Sequence, residues 1–130
     1  MDGKFFDWHL LKHKLHKKTN SVFFNERDVW WCHLGANVGS EQDGTSTDFG
    51  RPILVFKKFN LDLFWALPIT TLQKNNRFHH LFGEFDAVKS GSVILSQLRL
   101  LDARRLVRKL GMFPKDKFEE VCIKLKNFIV

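Results

Sequence analysis

Apolar and polar positions alternate in short runs along most of the chain, and the period changes near both ends. Phe5, Trp8, Leu11 and Leu15 recur near 3.6 residues with lysines on most of the opposite face, which predicts a helix over Asp2 to about Lys18. Asp2 suits its first turn, and Thr19-Asn20-Ser21 breaks it. From Asn25 the character becomes β. Asp28 to Leu34 reads as a strand whose Trp30 and Trp31 face opposite sides of a sheet. Pro52–Lys57 and Leu63–Ile69 read as an antiparallel hairpin around the turn Lys58–Asp62. Pro68 has no N–H for a ladder, so that strand end is expected at an edge or a bulge, with Thr70 and Thr71 accessible. Phe78 to Phe85 is a further strand, and Ser92 to Leu100 reads as one long strand opened by Gly91. Asp102 is placed to cap a short helical turn through Arg105, and Leu106–Leu110 returns as a strand ended by Gly111. Pro114 opens a last helix to about Phe128, with Phe118, Val121, Cys122, Leu125 and Phe128 on one face. The sum is mainly β with helices (α+β): a small barrel or curled sheet with a helix packed on it. The expected division is a helical extension over residues 1–22 and a barrel domain over 23–130.

At 130 residues the chain has the size of one domain with a real core. A hydrophobic fraction of 44% beside 27% charged residues is that of a soluble globular protein. No apolar run approaches the roughly 20 residues of a membrane span. Lys12, His13 and Lys14 interrupt any signal-peptide layout, so a cytoplasmic location is expected and no membrane partner. Cys32 and Cys122 lack the spacing of a zinc site or a disulfide framework and read as small apolar residues in a reducing compartment. His9, His13 and His16 have a spacing that suggests a metal, yet no carboxylate or cysteine completes the set, and a solvated basic face is the better reading. The net charge of +7 favours an anionic partner: nucleic acid, an acidic protein or a membrane surface. Its distribution is uneven. Residues 35–50 hold Glu41, Asp43 and Asp48 and no lysine or arginine, whereas seven basic residues from Arg99 to Lys117 face only Asp102 and Asp116. Such an acidic loop is suited to lie over a cationic groove until a stronger anion displaces it.

Four segments carry chemistry: Gly39-Ser40-Glu41-Gln42, then Arg51-Pro52, Pro68-Ile69-Thr70-Thr71, and the run Ser92 to Asp102. If the two central strands are neighbours, Arg51 and Thr70 meet at one sheet edge. Taken as residues alone, Arg51 reads rather as a strand-edge arginine paired with Glu41, Asp43 or Asp48, and Thr70, more strongly still, as an ordinary strand-end threonine. In this order and spacing the segments resemble the MazF/PemK family of toxin endoribonucleases from bacterial toxin–antitoxin pairs, over about Arg27 to Ile129. The resemblance implies an SH3-like β-barrel, a homodimer and a cognate antitoxin whose acidic segment wraps a basic groove. It also implies cleavage of single-stranded RNA at short sequences, without metal or other cofactor, leaving a 2′,3′-cyclic phosphate and a 5′-hydroxyl. Arg51 and Thr70 occupy the family's catalytic positions.

Those residue types suit that reaction, because the substrate's own 2′-hydroxyl is the nucleophile. A guanidinium gives a planar, permanently charged fork for phosphate oxygens, and a fixed hydroxyl adds a neutral donor. A guanidinium holds its proton too firmly to act as a base, so Arg51 is assigned as an electrostatic clamp. RNA contacts are expected from Glu41, Gln42, Thr71, Gln73, Gln97 and Arg99, with an exposed Trp30, Trp31 or Trp65 as a stacking platform where it is not core. The His79-His80 pair suits acid–base work, although no family motif includes it. Two departures stand out: the loop over residues 43–50 is longer than in the best-known members, and Ser96 stands where many carry an acid. Two other readings remain: a toxin of the same fold that poisons DNA gyrase by binding, and a non-catalytic RNA-binding module.

Overall fold

The computed structural model describes residues 22–34 and 50–129. The helix expected over Asp2–Lys18 and the loop carrying Glu41 and Gln42 lie outside the described residues. The elements are β1 (Asp28–His33), β2 (Gly50–Lys58), β3 (Leu63–Thr70), β4 (His79–Phe82), β5 (Gly91–Ile94), β6 (Arg99–Asp102), β7 (Leu106–Met112) and α1 (Lys115–Ile129). The strands form one antiparallel sheet ordered β4-β5-β3-β2-β1-β7, with β6 also paired to β3.

Strand alternation explains why both faces of the central strands are buried. Val29 opposes Leu54 and Leu54 opposes Leu67, and this row packs with Phe113, Val121 and Leu125 beneath α1. The intervening row, Trp30 opposite Ile53 together with Val55 and Ala66, packs with Phe24, Phe64 and Leu106. The two tryptophans divide as expected. Trp30 is core and donates its indole N–H to Asp28 Oδ2 at 3.2 Å, while Trp31 is half-buried on the other face. Asp28, itself wholly buried, also accepts from the Asn25 amide at 2.8 Å and pairs with Lys109 of β7 at 3.2 Å. That pairing offsets the cost of a carboxylate in the core and ties β1 to its neighbour.

The long strand expected over Ser92–Leu100 is broken into β5, a 3₁₀ turn at Leu95–Gln97, and β6. The reason lies in β3, which uses two partners along one edge. Leu63–Ala66 pair with β6, and Ile69–Thr70 pair with β5. The chain steps across between the two, and Leu67 and Pro68 fall in the gap. Pro68 therefore sits inside the sheet, neither at an edge nor in a bulge, because its missing N–H coincides with the change of partner. A second departure is at Gly111, which β7 passes through instead of ending there. A β-carbon at Gly111 would lie 2.7 Å from Asp86 Cβ, and the Asp86 carboxylate accepts from the Met112 amide at 3.1 Å. The strand expected over Phe78–Phe85 is shorter, His79–Phe82. Asp102 does cap a turn, accepting from the Arg104 amide at 2.8 Å, and α1 buries Val121 and Leu125. No helix among the described residues is long and apolar enough to cross a membrane.

Candidate functional site

Arg51 is the second residue of β2 and Thr70 the last of β3. The β2–β3 register runs Val55 to Ala66, Leu54 to Leu67 and Ile53 to Pro68, and two further steps set Arg51 opposite Thr70. Both are buried polar residues. The Arg51 guanidinium donates through Nη1 to the Ile69 carbonyl at 3.1 Å, which tethers it beside the threonine. Thr70 Oγ1 accepts from the Leu72 amide at 3.2 Å, a bond that does not use its own proton. A hydroxyl held by an accepted bond is a prepared donor.

Both residues line a cavity of about 560 Å³, together with Trp31, Pro52, Ile69, Thr71, Leu72, Ala87, Val88, Lys89, Arg108 and Leu110. Three of these are cations, Arg51, Lys89 and Arg108, and among the described lining residues none is acidic. Trp31 and Arg108 are register partners across β1 and β7, and the guanidinium lies 5.5 Å from the indole ring. This cation–π pair presents a flat aromatic surface beside the anion-binding groups. Gly50 fits the same wall, because any β-carbon there would overlap the Trp31 indole.

Two buried contacts shape the threonine end. Gly91 brings its backbone against the Thr70 carbonyl, where a β-carbon would collide with that oxygen. Ser92 pairs with Thr70 and is fully buried. Its hydroxyl lies 2.6 Å from the Leu72 carbonyl oxygen and 2.9 Å from that of Lys74, and it accepts from the Lys74 amide at 2.7 Å. The loop after β3 is thereby fixed, and with it the Leu72 amide on Thr70.

Of the other expected site residues, Thr71 lines the cavity and is exposed. Gln73 is exposed outside the lining, its side chain 3.5 Å from Ser90 Oγ. Gln97 and Arg99 line a recess of about 190 Å³ with Ser96 and Leu98. Glu41 and Gln42 lie outside the described residues. Trp65 packs edge-on against Phe59 away from the cavity. His79 and His80 are also elsewhere, on Asn76 and Glu120 respectively. Lys89 and Arg108 are additions that sequence reasoning missed. Arg108 lay within the basic run, and only its pairing with Trp31 singles it out; Lys89 carries no local signal.

Burial pushes the Cys32 thiol up to about 12 against the opposing pull of Arg105 and Arg99, so it is inert at neutral pH. Among the described residues no three His, Cys, Asp or Glu side chains converge as a metal set.

An antiparallel sheet with a branched central strand, closed by one C-terminal helix and holding a cationic cavity at a strand end, defines a compact class of mainly β proteins. Within that class, the chain belongs to the PemK-like, MazF-like toxins of type II toxin–antitoxin systems, whose family model matches residues 25–129. Among solved structures it is similar to MazF from Deinococcus radiodurans at 27% identity and a TM-score of 0.67, covering 83% of this chain and 97% of that one. A MazE–MazF complex from the same organism matches at 24% identity and a TM-score of 0.64, over 83% and 96% of the two chains. An endoribonuclease in complex with its cognate antitoxin from a mycobacterial species matches at 16% identity and 0.65, over 82% and 95%. No curated protein matches the chain in sequence. The MazF-like fold and membership of the toxin family are thus established.

Proposed function

We propose that this toxin is a metal-independent endoribonuclease that cuts single-stranded RNA, with Arg51 and Thr70 as its catalytic residues. The observation that carries the reading is their convergence: one buried cation and one hydroxyl, from facing strand ends, line one cavity whose described lining residues include no acid. In the proposed step the ribose 2′-oxygen forms a bond to phosphorus and the bond from phosphorus to the 5′-oxygen breaks. The 2′-hydroxyl proton passes to solvent, and the departing oxygen gains one as it becomes the 5′-hydroxyl. Arg51 neutralises charge growing on the equatorial oxygens, and Thr70 donates a hydrogen bond to one of them. Thr71, Lys89 and Arg108 hold the flanking backbone, and Trp31 offers a base a stacking face. Gln42 and Glu41 of the preceding loop, with Gln73, Gln97 and Arg99, read more distant nucleotides.

The family's name and the relatives solved with antitoxins support a cognate antitoxin as protein partner. The positive cavity favours an acidic antitoxin segment that competes with RNA for it, on a homodimer.

The test is incubation of the purified chain with single-stranded RNA in excess chelator, with end-group analysis. Arg51→Ala and Thr70→Val are each expected to slow cleavage by about 10²–10³, the usual effect of losing one transition-state donor. Thr70→Ser keeps the hydroxyl and stays within about tenfold of wild type. Bound but intact RNA assigns a binding module instead, and cleavage that survives Arg51→Ala removes the arginine from the mechanism.

A further inference from the structure

The turn that leads from β4 to β5 is tied to β7, the strand at the other end of the sheet. Phe85 and Val88 close this turn on itself, the Phe85 amide donating to the Val88 carbonyl at 3.1 Å and the Val88 amide to the Phe85 carbonyl at 2.8 Å. At its tip the Ala87 amide donates to the Leu110 carbonyl at 3.1 Å, and the Asp86 carboxylate accepts from the Met112 amide at 3.1 Å. Two residues are fitted to this clasp. Asp86 has a φ of 47°, a left-handed backbone that glycine adopts freely and other residues adopt at a cost, smaller for aspartate than for most. Its carboxylate gives an aspartate a use there, since glycine has no acceptor to offer Met112. Across the contact, Gly111 interrupts β7, a position where glycine weakens a strand but lets another segment come close. A β-carbon at 111 would lie 2.7 Å from Asp86 Cβ and 2.8 Å from Asp86 Oδ2.

The clasp borders the cavity. Ala87, Val88 and Lys89, which follow Asp86, line it together with Arg51 and Thr70, and so do Arg108 and Leu110 of the strand they are tied to. The three cations are held in different ways. Arg51 is fixed within β2 and by its bond to the Ile69 carbonyl, and Arg108 by its pairing with β1 and its contact with the Trp31 ring. Lys89 is exposed and belongs to no strand. Its place follows from the turn before it, where Val88 is buried and Asp86 and Ala87 are bonded to β7. A left-handed residue other than glycine persists where its surroundings hold it, and such positions gather at ligand sites.

On the reading of this cavity as an RNA site, we propose that Asp86 is a positioning residue: by latching the β4–β5 turn to β7 at Met112, it holds Lys89 toward the cavity to take a backbone phosphate. Charge alone makes the opposite prediction. Asp86 is an anion three residues from Lys89, so removing it lessens the repulsion of RNA and favours binding. As a latch it acts through Lys89, and removing it costs the phosphate contact that the lysine makes. The sign of the effect therefore separates the two.

Fluorescence anisotropy on the full chain tests it, with a single-stranded RNA carrying 2′-O-methyl groups, which lacks the nucleophile and stays intact. Asp86→Gly keeps the left-handed backbone and loses the carboxylate. Its affinity is expected to fall by about tenfold, the effect of losing one charge-assisted contact, and its log–log salt slope by about 0.7. Gly111→Ala keeps the Asp86 charge but displaces the carboxylate, and the same loss is expected. Asp86 is exposed at a turn, so its variant remains folded if the Gly111 variant does not. Asp86→Asn retains an acceptor oxygen and is expected to bind at least as tightly as wild type. In a Lys89→Ala background neither Asp86→Gly nor Gly111→Ala is expected to weaken binding further. Unchanged or tighter binding by Asp86→Gly overturns the proposal, and so does a full loss that persists without Lys89. Binding that Lys89→Ala weakens and Asp86→Gly leaves intact removes the latch alone, whereas a wild-type chain that does not bind the RNA removes the RNA site and the latch with it.

Discussion

At the scale of single residues, the site depends on groups that do no chemistry themselves. The Thr70 hydroxyl accepts from the Leu72 amide, and the Leu72 carbonyl is held by Ser92. Ser92→Ala leaves the Lys74 amide and the Leu72 carbonyl without that hydroxyl, and a cost of about 1–3 kcal/mol is expected in denaturant unfolding. Gly91→Ala drives a methyl into the Thr70 carbonyl oxygen, a backbone atom fixed by the β3–β5 ladder, with a similar cost expected from overpacking. Both variants are expected to lower the cleavage rate as well, since each moves the loop that orients the hydroxyl. Arg51 and Thr70 were legible in the sequence because they sit in short fixed motifs. The supporting pair Gly91-Ser92 read only as the opening of a strand. Its meaning comes from a neighbour some twenty positions earlier in the chain, which no local pattern records.

Among elements, β3 is the strand on which the fold turns, since it pairs with β2 on one side and with β6 and then β5 on the other. Pro68 looked like an edge marker because proline lacks a donor, and the structure uses the same property to change partners mid-strand. The apolar run Val93–Leu95 matched one continuous strand, and the break at Leu95–Gln97 was invisible because a 3₁₀ turn can be as apolar as the strand it interrupts. The contact of β4 with α1 carries a pH signature. His80 is held below its ordinary value of 6.5, chiefly by burial, with Lys124 and Lys117 adding to the effect and the Glu120 hydrogen bond opposing it. The folded chain thus takes up that proton less readily than the unfolded chain. Stability is complete above about pH 6.5 and is lost as pH falls from there through the lower folded value. Thermal unfolding from pH 7.5 to 5.0 is expected to show this decline, and His80→Gln is expected to flatten it. His79, lowered by burial and by Lys74 and Lys124, leaves a residual slope.

For the whole molecule, the +7 charge becomes a local field only after folding. Arg51 from β2, Lys89 from the turn before β5 and Arg108 from β7 meet around one cavity, with no carboxylate among its described lining residues. Binding of a non-cleavable RNA analogue, followed by anisotropy, is expected to weaken linearly in log–log salt. Lys89→Ala and Arg108→Ala are each expected to reduce the slope by about 0.7, the single-strand value for one phosphate contact. An unchanged slope in either variant removes that residue from the RNA path.

The sequence by itself determined the class of fold, the β hairpin, the final helix and the two residues proposed for catalysis, because periodicity and short motifs are local properties of a chain. Tertiary structure alone decided where β3 changes partners and which cations of the described residues line the cavity with Arg51. Those outcomes depend on strand pairing between distant segments, and strand register is settled by the burial of both sheet faces at once.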